Sequence, residues 1–273
     1  MTAAIADVPS MPRAVYAVMD ACDRPDTGAN DIARRVMADQ GLTANVLRLA
    51  NSAAYGHRRR VTTVSDAVVI MGMSAVKSLA ISAHTADLLN RALPGYAMRR
   101  GELWHHSLNV AFVCRAIARD PGSQAREEAF VAGLLHDMGK VLLSGFLGDG
   151  FDTLTRAAHE RRSPLNECER DLLGFDHAEL GARLTHEWRF PGRLVEAIGV
   201  HHHPDDATLA PGLAACVSTA DAVAHALAAG IGPDDIPHLV DEAWLDELDL
   251  TPRELAGRVA ELRPLLDSDP LAE

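Results

Sequence analysis

The sequence predicts an all-α fold, and three observations predict it. Apolar residues recur at helical spacing through nearly the whole chain, alternating β-branched runs are short and isolated, and the strong helix formers Ala, Leu and Arg are abundant.

Taken in order, "NDIARRVMADQGLTANVLRLANSAA" places Ile32, Val36, Leu42, Val46, Leu47 and Ala50 at helical spacings, with an interruption at Gly41. Two short helices joined by a tight turn fit that pattern better than one long helix. "TVSDAVVIMGMSAVKSLAISAHTADLL" repeats it, with Ser65 as the expected cap of the first helix, Gly72 as the break and Ser74 as the cap of the second. "LNRALPGYAMRRGE", with Pro94 and Gly95, reads as a connection between an N-terminal helical part (8–95) and a second helical part (102–229). Loops are expected near "DPGSQ", "SGFLGDG" and "HHHPDDATLAPG". The segment 230–273 is acidic and reads as two short helices packing on the body. Thr251, Pro252 and Glu254 mark the start of one of them.

The 273 residues suffice for a sizeable core, and 48% hydrophobic with 23% charged residues is ordinary for a globular protein. A formal net charge of −12 argues against a surface built for nucleic-acid phosphate. The densest basic run, "HRRR" at His57 to Arg60, has a plain reading as a solvated turn. Cys22, Cys114, Cys168 and Cys216 form no CxxC pair and suit reduced thiols. No apolar run approaches a membrane span and the N-terminus lacks the pattern of a signal peptide, so a cytoplasmic location without a membrane role is expected.

The chemistry concentrates around "GLLHDMGK", Gly133 to Lys140. Upstream, "GELWHHSLNVAFVCRAIA" carries Glu102 and His106 four residues apart, on one helix face. Downstream come His177, the run His201 to His203, and Asp221. Each has a structural explanation when read singly. His177 follows Asp176, a natural N-cap; His201 to His203 suit a polar helix end; Asp221 suits a wet helix face. Together they read differently, because Asp137 and Asp221 both lie in apolar segments, and a buried carboxylate needs a partner. Imidazoles and carboxylates converging from several helices build mono- or dinuclear metal sites.

The order E-x3-H, HDxGK, a lone His, HH and then Asp resembles the HD superfamily of metal-dependent phosphohydrolases. "VPSMPRAVYAVMD", "LTANVLRLANSAAYGHRRRVTTVSDAVVIMGMSAVKSLAI", "WHHS" with "GLLHDMGK", and "DHAELGARLTHEWRFPGRLVEAIGVHHHP" resemble its HDOD subfamily over 8–229. That resemblance implies an all-helical fold found in bacterial signalling and regulatory proteins, many of which have lost part of the ligand set and act by binding a protein partner. This chain keeps every position. Glu102, His106, His136, Asp137, His177, His201, His202 and Asp221 fall where HD-GYP cyclic di-GMP phosphodiesterases place ligands of an iron- or manganese-type centre, and Lys140 matches their phosphate-contacting lysine. His57 and His238 match no ligand position.

Two departures stand out. The GYP residues are absent, which weakens a claim to cyclic di-GMP hydrolysis, and Gln40 stands where HDOD proteins usually have proline. The expected function is a regulatory HDOD module with a retained divalent-metal site that binds a protein partner or a nucleotide. The alternative is a metal-dependent phosphohydrolase with Asp137 bridging two metals. Neither a glycine-rich phosphate loop nor an aromatic platform identifies a nucleotide, and oligomeric state is left open.

Overall fold

The computed structural model describes residues 10–52, 55, 60–119, 123–147, 154, 156, 160 and 163–266. His57 to Arg59 of the basic run lie outside them. The described residues form α-helices with short 3-10 turns and contain no strand, and the pair Leu93 and Met98 makes an isolated antiparallel bridge. The expected all-α class is what the chain adopts.

The N-terminal half comprises α1 (Arg13–Cys22), α2 (Ala29–Met37), α3 (Gln40–Ala50), α4 (Val64–Met71) and α5 (Met73–Leu89). The break between α2 and α3 falls earlier than Gly41. Asp39 ends it as N-cap, its carboxylate accepting from the Leu42 amide at 2.8 Å, so Gly41 lies in the first turn of α3. A carboxylate cap satisfies an orphan amide, which a glycine cannot do. For the same reason Thr63, accepting from the Asp66 amide, caps α4 in place of Ser65. Gly72 does break the pair, at φ 88°, a left-handed value that glycine adopts without strain. Ser74 makes no cap because α5 already begins at Met73.

The second half begins after the 3-10 turn Pro94–Tyr96 with α6 (Glu102–Ile117), followed by α7 (Ser123–Leu135), α8 (Met138–Leu147), α9 (Leu165–Leu173), α10 (His177–Glu187), α11 (Gly192–Gly199) and α12 (Pro211–Ala228). Helix α6 packs on α7 and α12, and α10 packs on α8 and α11. The acidic segment folds as expected into α13 (Glu242–Glu247) and α14 (Pro252–Leu266). Thr251 and Glu254 exchange hydrogen bonds at the start of α14. It docks on α6 by Arg258 Nη1 donating to the Ala116 carbonyl at 2.8 Å.

Buried side chains from Met11 to Leu266 join in one apolar cluster. The stretch Gln124–Leu147 has the length and apolarity of a membrane span, against the sequence expectation that none does. Its most apolar window is 67% buried within the fold, as in a core helix, and it contains the turn at His136 and Asp137.

Candidate metal centre

"GLLHDMGK" is the corner between α7 and α8: His136 and Asp137 form the turn, and both are fully buried. The two glycines of the motif are required by close approach. A Cβ on Gly139 would lie 1.8 Å from the His177 carbonyl oxygen, and one on Gly133 2.8 Å from Cys114 Sγ. These contacts let α8 meet the start of α10, and α7 meet α6, closely enough to bring ligand-type side chains from three helices to one point.

Seven of the eight predicted ligands, with His201 and His202 following α11, fall into three overlapping triads. His106, His136 and Asp221 form one; His136, Asp137 and His201 the second; His177, His201 and His202 the third, and within each triad the donor atoms lie within 4.8 Å of one another. His136 and His201 each belong to two triads. That makes seven residues in one continuous cluster, with Asp137 central. Its Oδ2 is 3.4 Å from His136 Nε2 and 3.5 Å from His106 Nε2, while its Oδ1 is 3.3 Å from His177 Nε2 and 3.9 Å from His201 Nε2.

The imidazoles are held by the nitrogen facing away from the cluster. His136 Nδ1 lies 2.7 Å from the Gly133 carbonyl and His201 Nδ1 2.7 Å from the Ile198 carbonyl. A carbonyl only accepts, so each Nδ1 carries a proton and each Nε2 is the nitrogen turned inward, free to ligate once it has no proton. His177 Nδ1 lies 2.6 Å from Glu169 Oε2, with the same result, and His202 Nε2 meets His177 Nε2 at 2.8 Å. Five buried atoms of the cluster have no hydrogen-bond partner: Nε2 of His106, His136 and His201, and Oδ1 of Asp137 and Asp221. His106 Nε2 and Asp221 Oδ1 are 3.1 Å apart but not aligned for a hydrogen bond. Buried polar atoms are nearly always satisfied. Five nitrogen and oxygen atoms left without partners in one place, all of types that ligate divalent ions, fit a metal.

Charge tells the same story. Burial alone would raise Asp137 and Asp221, yet the neighbouring histidines, with Lys140 beside Asp137, hold both well below the usual carboxylate range. Burial would lower His136, but Asp137 and Asp221 raise it to about 10. His201 and His202 have too few carboxylate contacts to resist burial and the adjacent imidazoles, and both fall, His202 to about 3. His106 falls as well, mainly by burial. Lys140 reaches in from α8, its Nζ 2.6 Å from Asp137 Oδ2. One side of the cluster meets solvent, where the His106, Asp221 and Lys140 side chains are 15%, 16% and 14% exposed.

Glu102 stands apart. Its carboxylate accepts from the Arg99 amide at 2.8 Å and from Arg99 Nε at 2.5 Å, which also lowers its pKa, and it belongs to none of the triads. His203 points outward and is exposed. Two residues at the cluster escaped sequence reasoning. His225, four residues beyond Asp221, reaches its Oδ1 at 3.4 Å, a spacing visible in the sequence. Glu169 has no motif, though it shares a helical stripe with Leu165 and Leu173, an odd place for a carboxylate.

Comparisons with known proteins bear on the fold and the family. An uncharacterized protein of Treponema pallidum (strain Nichols) is 28% identical over 200 residues, covering 73% of this chain, and this chain spans 38% of that relative's length. A crystal structure from Shewanella amazonensis SB2B, described as a candidate phosphohydrolase, superposes with a TM-score of 0.77 at 28% identity, covering 99% of this chain and 97% of the other. An HDOD domain protein of unknown function from Geobacter sulfurreducens superposes with a TM-score of 0.76 at 25% identity, covering 94% and 89%. The HDOD domain profile matches residues 8–204, and this protein belongs to the HDOD domain family.

Proposed function

We propose that the protein is a regulatory HDOD module whose His/Asp cluster holds a divalent metal, and that it acts in signal transduction by binding a protein partner or a phosphate-bearing nucleotide. The observation that carries this is the set of five buried, unpartnered nitrogen and oxygen atoms facing one another. His106, His136, Asp137, His177, His201, His202 and Asp221 are the proposed ligands. Asp137 is suited to bridge two ions, since its two oxygens face different histidines, and iron or manganese suits the mixed donors.

A second reading is a metal-dependent phosphohydrolase, favoured by the opening beside Lys140 and by the similarity to the Shewanella protein. A divalent metal in the centre would supply Lewis acidity toward phosphate oxygens and acidify water. The chain's own part is to keep most of the cluster's side chains buried, to hold three imidazoles by their Nδ1 atoms, and to keep the Lys140 charge beside Asp137, where it would meet a phosphate. A nucleotide or cyclic dinucleotide is the proposed substrate class.

Elemental mass spectrometry of the freshly purified protein tests the shared premise. One to two iron or manganese ions per chain are expected, falling to background in the His136→Ala, Asp137→Ala double variant and unchanged in His238→Ala, whose side chain is exposed. Traces that wash away in the wild type would overturn the metal centre. Turnover of cyclic dinucleotides by the loaded protein would favour the second reading over the first.

A further inference from the structure

The histidines of the cluster are not all held alike. His136 and His201 lean on carbonyls of their own helical turns, three residues back. His177 instead leans on a carboxylate from a different helix. Glu169 Oε2 accepts from both the His177 amide, at 2.8 Å, and from Nδ1, at 2.6 Å. Its other oxygen accepts from the Tyr96 hydroxyl at 2.8 Å. All three residues are buried, with Glu169 wholly so.

Tyr96 belongs to the connection between the two halves of the chain. That connection is itself fastened down: Leu93 and Met98 exchange backbone hydrogen bonds at 2.9 and 3.1 Å, and the Gly95 amide donates to Ser144 Oγ of α8 at 3.1 Å. A Cβ on Gly95 would lie 2.7 Å from the Ser144 carbonyl oxygen, so the segment sits directly on the helix that also carries Lys140. One line of direct contacts therefore runs from the connection, through Tyr96 and Glu169, to an imidazole whose Nε2 faces the cluster.

We infer that Glu169 is a positioning residue for His177 and that, through Tyr96, it couples the segment Leu93–Met98 to occupancy of the metal centre. The inference rests on the metal reading of the cluster. Carboxylates behind ligating histidines fix tautomer and ring orientation, and their loss commonly weakens metal binding by about 10- to 100-fold. Because the coupling is a binding free energy it acts in both directions. Metal at His177 steadies the connection, and whatever moves the connection alters metal affinity.

The test uses the full chain, stripped of metal and titrated with Mn²⁺ by calorimetry, with circular dichroism to check folding. Glu169→Gln is expected to bind about 10- to 100-fold more weakly than wild type, and Tyr96→Phe more weakly by a smaller factor. Imidazole ¹⁵N shifts are expected to show His177 protonated on Nδ1 in the metal-free wild type and a mixture of tautomers in Glu169→Gln. Hydrogen exchange at 93–98 should slow when Mn²⁺ binds the wild type and change less in Tyr96→Phe, the variant that carries the test if Glu169→Gln does not fold. Wild-type Mn²⁺ affinity and an unmoved tautomer in Glu169→Gln would overturn the positioning role while leaving the metal centre standing. Equal slowing of exchange in wild type and Tyr96→Phe would overturn the coupling. A wild type that takes up no Mn²⁺ would overturn the centre itself, and the coupling with it.

Discussion

Lys140 Nζ lies 2.6 Å from Asp137 Oδ2, one turn along the same chain segment, and both side chains are withdrawn from solvent. Burial would push the lysine down, but Asp137 keeps it above its ordinary value. In the metal-free protein this ammonium is the nearest full positive charge able to offset the carboxylate at the middle of the cluster.

Removing it should therefore cost stability mainly when metal is absent. Lys140→Met is expected to destabilise the chelated protein by about 3 kcal/mol, the range seen when one member of a buried pair is removed. Most of that loss should be recovered on adding a divalent metal. Denaturant unfolding with and without a chelator reads both, and an equal loss in the two states would contradict the proposed charge balance.

The chelated protein should be most stable near pH 6.5. His106, His201 and His202 have folded pKa values below the unfolded value of about 6.5, so the unfolded chain binds more protons and stability falls as pH drops below that point. Asp137 and Asp221, held low, add a further loss in more acid solution. His136, raised to about 10, and His177, also raised, act oppositely: their contribution is complete below about 6.5 and is lost as pH climbs toward 10. A melting temperature that rose steadily from pH 5 to pH 9 would refute this.

Gly139→Ala should be among the most damaging single substitutions in the chain. The added methyl would meet the His177 carbonyl oxygen at 1.8 Å, and backbone on backbone cannot yield cheaply. A loss of about 3 kcal/mol or more is expected, at the upper end of overpacking, together with lowered metal content. Metal content at the wild-type level in a folded Gly139→Ala protein would show that the α8–α10 approach does not set ligand positions.

Glu102→Gln separates two accounts of that residue. The match to the family's ligand order makes Glu102 a ligand, whereas the structure engages it with Arg99. Unchanged metal stoichiometry is the outcome expected from the Arg99 pairing, and loss of one ion per chain would return Glu102 to the centre.

The cluster was legible in the sequence because its parts sit in short, fixed spacings and because Asp137 and Asp221 interrupt apolar runs. Asp176 shows why single readings mislead: it does cap α10, as its residue type predicts, accepting from the Glu179 amide at 2.8 Å, and His177 beside it still turns into the cluster. Glu169 and Tyr96 were not legible, since their relation is made across 73 residues and neither belongs to a motif. The cap positions were misplaced for a local reason. Ser65 and Ser74 are good caps by type, but which residue caps depends on where the chain leaves extended geometry, and Thr63 and Gly72 reach that point first.

Cys114 on α6 and Cys216 on α12 each donate a thiol hydrogen to the other's backbone carbonyl, at 3.7 and 3.4 Å, and both are inaccessible to solvent. They stitch together the two helices that carry His106 and Asp221. A thiol reagent can reach them only when that seam parts, so the rate at which these cysteines are labelled is a clock for its opening. Metal ligated from both helices should slow the clock.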